Sequence, residues 1–348
     1  MKSNYVQTFQ RFCSFVDRKP KDETMIAVLV DSTWLPDYAG ITMLDFYFDS
    51  SIWLDVYTRL VQDLPGVVFL PGNWIEFGMA MEPSGWGTKI KLDKENPSAV
   101  FPFPGGLSAL IEEKVPDPET DGLMAIALNY RERMNPLLAE RNMSPRIAAT
   151  RGPLCVASHL LGVTELLMAS QIERDKCRKL LDNTTELCIR WLKAQLERME
   201  KPAGIMVLDD VAGMFSPADV REIVLPYLKR IFESFPGKIH IFHDDMPNAE
   251  IYPVLATAGI DVFNFSYECS IEKAREKVGP DVILMGNIPP LDVLARGSAD
   301  QVREATREVL GKLPAYGPIL VSAGGGVSPD TPIENLKVML EEVNEFSV

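Results

Sequence analysis

Eight short apolar runs, each followed by a turn and a helical stretch, constrain this chain more than any other feature. They are IAVLV at 26–30, VVFLP at 67–71, RIAAT at 146–150, IMVLD at 205–209, IHIFH at 239–243, DVFNF at 261–265, VILMG at 282–286 and ILVSA at 319–323. Most are too continuously apolar for strands with one wet face, and strands buried on both faces read this way. Between them lie segments with helical periodicity at 120–141, 172–200, 216–235, 299–312 and 333–346. Ser216-Pro217 supplies an N-cap followed by proline at the first helical position. Eight strands alternating with helices predict an α/β fold, a (β/α)8 TIM-like barrel. A doubly wound open sheet competes less well, because no G-x-G-x-x-G follows any run.

The first half is more elaborate. Residues 72–104 hold KIKL, AVFPF and many Gly and Pro, which predicts a hairpin-bearing insertion on a barrel loop. No linker or internal repeat divides the chain, so residues 1–348 are expected to form a single barrel domain with an elaborated N-terminal region.

Composition narrows the function classes. Lys+Arg 35 against Asp+Glu 49 gives a net charge of -14, which disfavours nucleic acid or anionic lipid as partners. No run of about 18 uncharged apolar residues is present to span a membrane. The five cysteines are odd in number, scattered and without a CxxC pair, as expected for reduced thiols in a cytoplasmic protein.

Barrel enzymes place their chemistry at the C-terminal ends of the strands. That rule selects Asp209 and Asp210 after IMVL, and His243, Asp244 and Asp245 after IHIF. It also selects Trp74 and Glu76 beyond VVFLP, Arg151 after IAAT, Asn287 after VILMG and Gly325 in the GGG that follows ILVSA. Paired carboxylates can be helix caps. Two neighbouring strands ending in such pairs, one with a histidine, point instead to a site where a cation, a proton or a substrate group offsets the repulsion. Trp34 and Trp74, among the tryptophans crowded into the first 90 residues, are candidates for an aromatic-lined substrate pocket beside core packing.

The same segments carry a family likeness. RGPLCVASHLLGVTELLMA (151–169) resembles the GP-x-T-x-A-x-x-L-x-G segment of the uroporphyrinogen decarboxylase superfamily. DDVAGMFSPADVREIVLPYLKRIF (209–232) resembles its S-P-x-x-F-x-x-F-x-x-P-Y block, VILMGNIPP its M-G-N-x-x-P block, and GGGVSPDTPIEN its closing G-x-x-P-x-T-P-x-E-N signature. Before residue 145 the likeness is thin, resting on WLPDYAG (34–40).

The resemblance implies one of two chemistries. Decarboxylases of the family clamp a polycarboxylate tetrapyrrole with arginines in R-Q-A-G-R-Y-L-P-E-Y. Here the segment reads DSTWLPDYAG, with Asp31, Ser32 and Trp34 in place of the basic groups, and net negative charge would repel such a substrate. The other branch comprises corrinoid-dependent methyltransferases, whose coenzyme M enzymes bind zinc through H-x-C and a later cysteine. By the resemblance the histidine is His243, while the cysteines fall on Asp245 and Gly325. Both thiolates are gone. What remains suits an oxygen-bound methyl donor, its departing oxygen protonated by a mouth carboxylic acid or His⁺. Alternatively, a hard-ligand zinc on His243, Asp245 and Glu222 would polarise that oxygen.

The expected activity is therefore a methyltransferase, an O-demethylase component that moves a methyl group from a methoxylated small molecule, such as a phenyl methyl ether. The expected catalytic residues are Asp209, Asp210, His243 and Asp245. The chain has no D-x-H-x-x-G motif, so cobalamin is expected on a separate corrinoid protein. A decarboxylase acting on a smaller acid, and a catalytically lapsed ligand-binding barrel, are the competing readings.

Overall fold

A computed structural model of the chain describes residues 5–346. The eight apolar runs become eight strands: β1 (Ala27–Leu29), β2 (Val68–Leu70), β3 (Ile147–Arg151), β4 (Gly204–Leu208), β5 (Ile239–Asp244), β6 (Val262–Phe265), β7 (Ile283–Ile288) and β8 (Ile319–Ala323). β3 to β8 form one parallel sheet in chain order, and β1 pairs in parallel with β2. Parallel bridges Ile26↔Val321 and Leu29↔Gly326 join β1 to β8. The spatial order is thus β2-β1-β8-β7-β6-β5-β4-β3, the order of a (β/α)8 barrel.

Among the described residues no ladder joins β2 to β3. The unpaired edge of β3 is satisfied by side chains instead, as buried backbone groups require. Gln195 accepts from Ala149 N at 3.2 Å and donates to Ala149 O at 2.9 Å. Glu82 Oε1 accepts from Arg151 N at 3.0 Å. The barrel-like sheet is therefore open at one seam, and the loop after β2 seals it with carboxylates.

Parity along the strands separates two layers. Ala27, Leu29, Val68, Leu70, Ile147, Ala149, Met206, Ile241, Val262, Ile283, Met285 and Leu320 fill the interior. Alternate residues such as Val28, Phe69, Val207, Phe242 and Phe263 face the surrounding helices. The Tyr5–Arg18 helix, to which the sequence reading assigned no role, buries Phe9, Phe12, Phe15 and Val16 in the interior cluster. Its apolar residues at helical spacing close the N-terminal end of the barrel. Within the 72–104 segment, Ile90–Lys91 pairs antiparallel with Ala99–Val100. Among the described residues no single helix is long and apolar enough to cross a membrane.

Candidate active site

The mouth is assembled from chain immediately beyond the strand ends. On β5, His243 shares the inward parity of Ile241, whereas His240 lies on the outer side against Phe232, ring centroids 5.0 Å apart. Asp210 opens a short 3-10 turn after β4, and Asp245 follows the last residue of β5. His243 Nε2 lies 3.2 Å from Asp210 Oδ1. The same oxygen accepts from Asp245 N at 3.3 Å. One ligand atom from each of Asp210, His243 and Asp245 lies within 4.8 Å of the others. On the far side of His243, Nδ1 is 2.7 Å from Asn264 Oδ1.

Charge in this cluster is unusual. Burial opposes protonation of His243, but the carboxylates of Asp210 and Asp245 outweigh it and raise the imidazole above its ordinary value. Burial raises Asp245 as well, against the pull of His243. Asp244 has the opposite parity and is fully buried. Burial first, then the charge of Asp210, raises it well above the ordinary carboxylate value.

Asp209 has a different task. Its carboxylate accepts from Leu154 N at 3.1 Å and Cys155 N at 2.7 Å, at the start of the Pro153–Leu161 helix. The helix N-terminus, with its free N–H groups, is capped from a neighbouring strand end. Gly152 permits this approach, because a Cβ there would stand 2.3 Å from Asp209 Oδ2. Burial nevertheless pushes Asp209 up to about 7. Both oxygens of Asp209, expected from the sequence to be catalytic, accept from the helix start.

A second cluster lies at the open seam. Arg151 Nη2 is 3.0 Å from Glu76 Oε2, and Nη1 is 3.8 Å from Glu82 Oε2. Its guanidinium sits 5.2 Å from the Trp74 ring centroid. Glu76 also accepts from Ser32 N at 2.6 Å. All three charged groups are buried. Arg151 and Glu76 were expected to bind substrate; the structure engages them with each other and with Glu82, which sequence reasoning missed.

Three further expectations are corrected. Glu222 stands on the outer surface and pairs with Arg174 at 3.4 Å, so Asp210 rather than Glu222 completes the His243–Asp245 group. Trp34 is fully buried, donates Nε1–H to Thr331 O at 2.9 Å and stacks on Tyr38, so it is core. Trp74 is buried in the interior cluster beneath Arg151. Asn287, at the end of β7, donates to Cys269 O at 2.7 Å. Gly325 does reach the mouth: a Cβ on it would lie 3.0 Å from Asp245 Oδ2. Asn264 was also missed, although its parity with Val262 in DVFNF marked a polar group on the inward face of its strand.

Comparison with known proteins assigns the chain to a family. The model of the uroporphyrinogen decarboxylase (URO-D) family matches residues 37–346. The chain belongs to the uroporphyrinogen decarboxylase family. Within it, similarity extends to proteins of different activity. A uroporphyrinogen decarboxylase of Carboxydothermus hydrogenoformans is 26% identical over 213 residues, covering 58% of this chain and 59% of that protein. A methylated-thiol–coenzyme M methyltransferase of Methanosarcina mazei is 28% identical over 211 residues, covering 59% of this chain and 54% of that protein. These alignments span little more than half the length of either relative. Over the whole fold, a methyltransferase structure from Methanosarcina mazei superposes with a TM-score of 0.81 at 21% identity, covering 98% of this chain and 99% of that one. That likeness establishes the family fold, including the β1 and β2 region where sequence similarity is thin.

Proposed function

We propose that this member of the uroporphyrinogen decarboxylase family is a methyltransferase that takes a methyl group from a small methoxylated molecule and passes it to cobalamin on a separate corrinoid protein. The observation that carries the reading is the convergence of Asp210, His243 and Asp245 at the barrel mouth with Gly325 beside them. A coenzyme M methyltransferase of the family is among its relatives, and the positions that resemble that branch's metal site come together here without a thiolate.

The donor set, an imidazole nitrogen and carboxylate oxygens, fits a divalent ion of borderline character such as zinc. Asp210, His243 and Asp245 would hold zinc. Bound there, zinc would act as a Lewis acid toward an ether oxygen. In the alternative without a metal, the chain's own groups would bear on the same oxygen. The carboxylates of Asp210 and Asp245 raise His243 against the effect of burial, and burial raises Asp245. A proton delivered from this cluster turns a departing phenolate into a phenol, a better leaving group. The partner's cobalamin supplies the methyl acceptor. Met214, Tyr267 and Leu291, large exposed side chains on the loops after β4, β6 and β7, give the mouth an apolar rim suited to a docked corrinoid protein.

Decarboxylation of a polyacid is less well supported. The segment that resembles the family's arginine clamp carries Asp31, Ser32 and Trp34 instead, and the buried Arg151 guanidinium is already held by Glu76 and Glu82. The deciding experiment is a methyl-transfer assay with reduced corrinoid protein across methoxylated aromatics, with metal analysis of the same sample. Demethylation that needs both the corrinoid and this chain supports the proposal. Carbon dioxide release from a carboxylated substrate without corrinoid would overturn it.

A further inference from the structure

Asn264 is a fully buried amide inside the barrel, and its orientation is settled by its partners. Nδ2 donates to Met285 O at 2.9 Å and to Ala323 O at 3.1 Å. Reversing the amide would set its oxygen against two carbonyl oxygens. The oxygen that faces His243 Nδ1 at 2.7 Å is therefore an acceptor, and the imidazole must be the donor in that contact. A neutral His243 then carries its proton on Nδ1 and leaves the Nε2 lone pair free. That lone pair faces Asp210 Oδ1 at 3.2 Å. Two acceptors in this position repel each other unless a cation or a proton lies between them.

We infer that Asn264 is a positioning residue: it holds His243 in the Nδ1–H tautomer, so that Nε2 is always the nitrogen presented to Asp210 and Asp245. Strands β6, β7 and β8 all contribute. β6 carries the amide, and one carbonyl from the adjacent β7 and one from β8 beyond it anchor it. The inference rests on the mouth being the working site. Both roles proposed for His243 there, ligand and proton donor, use Nε2. Groups that orient a ligating histidine typically contribute 10–100-fold to metal affinity.

The test uses the full chain with 15N-labelled histidine. Long-range 1H–15N spectra, recorded at alkaline pH where the imidazole is neutral, report which nitrogen bears the proton. Three histidines are present, and His159→Gln and His240→Gln assign the third signal. The wild type is expected to show a protonated Nδ1 and an unprotonated Nε2. Asn264→Leu is expected to move the proton to Nε2, where Asp210 accepts it, and to weaken zinc binding about 10–100-fold by titration calorimetry. Asn264→Asp keeps the acceptor and is expected to keep the wild-type tautomer. A neutral wild-type His243 protonated on Nε2, or an Asn264→Leu variant with wild-type tautomer and zinc affinity, would overturn the inference. If Asn264→Leu does not fold, the wild-type spectrum still decides. No donor or corrinoid enters these measurements, so a failed methyl-transfer assay would remove the proposed reaction and leave this result standing.

Discussion

Gly325 lies directly beside Asp245: a Cβ built on the glycine would stand 3.0 Å from Asp245 Oδ2. The backbone at Gly325 also has φ +130°, a conformation that side-chain-bearing residues rarely adopt. Gly325→Ala is expected to displace the Asp245 carboxylate and cost about 1–3 kcal/mol of stability through backbone strain. Zinc affinity should fall in the same variant. Titration calorimetry on Gly325→Ala, with His243→Ala as the control that removes a ligand outright, checks this. Undiminished stoichiometric zinc in His243→Ala would remove the cluster as the metal site.

Asp210 touches His243 and receives the backbone of Asp245, so it is the carboxylate best placed to share a proton with both. Asp210→Asn keeps the shape and removes the titrating group. If Asp210 takes part in proton delivery, rate should fall by about 10²–10⁴-fold. The loss should be largest for aryl ethers whose phenols have high pKa and should shrink for good leaving groups. Equal losses across a leaving-group series would assign Asp210 to substrate positioning or metal holding alone.

Asp209 gives the fold a pH dependence whose sign follows from its environment. Burial raises its carboxyl to about 7, against about 4 in an unfolded chain. A raised acid favours the folded state when protonated. Its stabilisation is complete below about pH 4, is lost as pH climbs through 7, and stays lost above that. Comparison of urea midpoints between pH 4.5 and 8 should show the wild type losing stability relative to Asp209→Asn. The difference is expected to stay below an upper bound of about 4 kcal/mol. Parallel curves for the two proteins would show that the two helix donors hold Asp209 ionised throughout.

Arg151 is the counter-charge for two buried carboxylates. Arg151→Met preserves much of the side chain's length but leaves Glu76 and Glu82 buried without a cation. Breaking a buried ionic group from one side typically costs about 3–5 kcal/mol, which thermal unfolding would read as a clear drop in Tm. Combining it with Glu76→Gln and Glu82→Gln should recover part of that loss. A fall in Tm no larger than that of an ordinary surface substitution would mean that water reaches the cluster.

The barrel itself was legible in the sequence because its cause is local. Strands buried on both faces must be apolar throughout, and helices between them must carry one apolar stripe. Both patterns repeat along the chain from 26 to 346. The rule that chemistry gathers beyond the strand ends also depends only on chain order, and it led to Asp210, His243, Asp245 and Gly325. What each of those side chains touches depends on contacts far apart in the sequence. Asp209 and Asp210 are adjacent, yet a helix start 55 residues away claims one carboxylate and His243 the other. Glu222 shares a segment with both but stands on the outer side of its helix, against Arg174. Trp34, Trp74, Glu76 and Arg151 looked like pocket residues, and only tertiary packing turned them into core and a closed ionic cluster. What Asn264 and the helix that plugs the barrel touch is decided only by the fold, for the same reason: a hydrogen bond or a packed ring depends on where distant strands bring their faces, and parity alone does not name the partner.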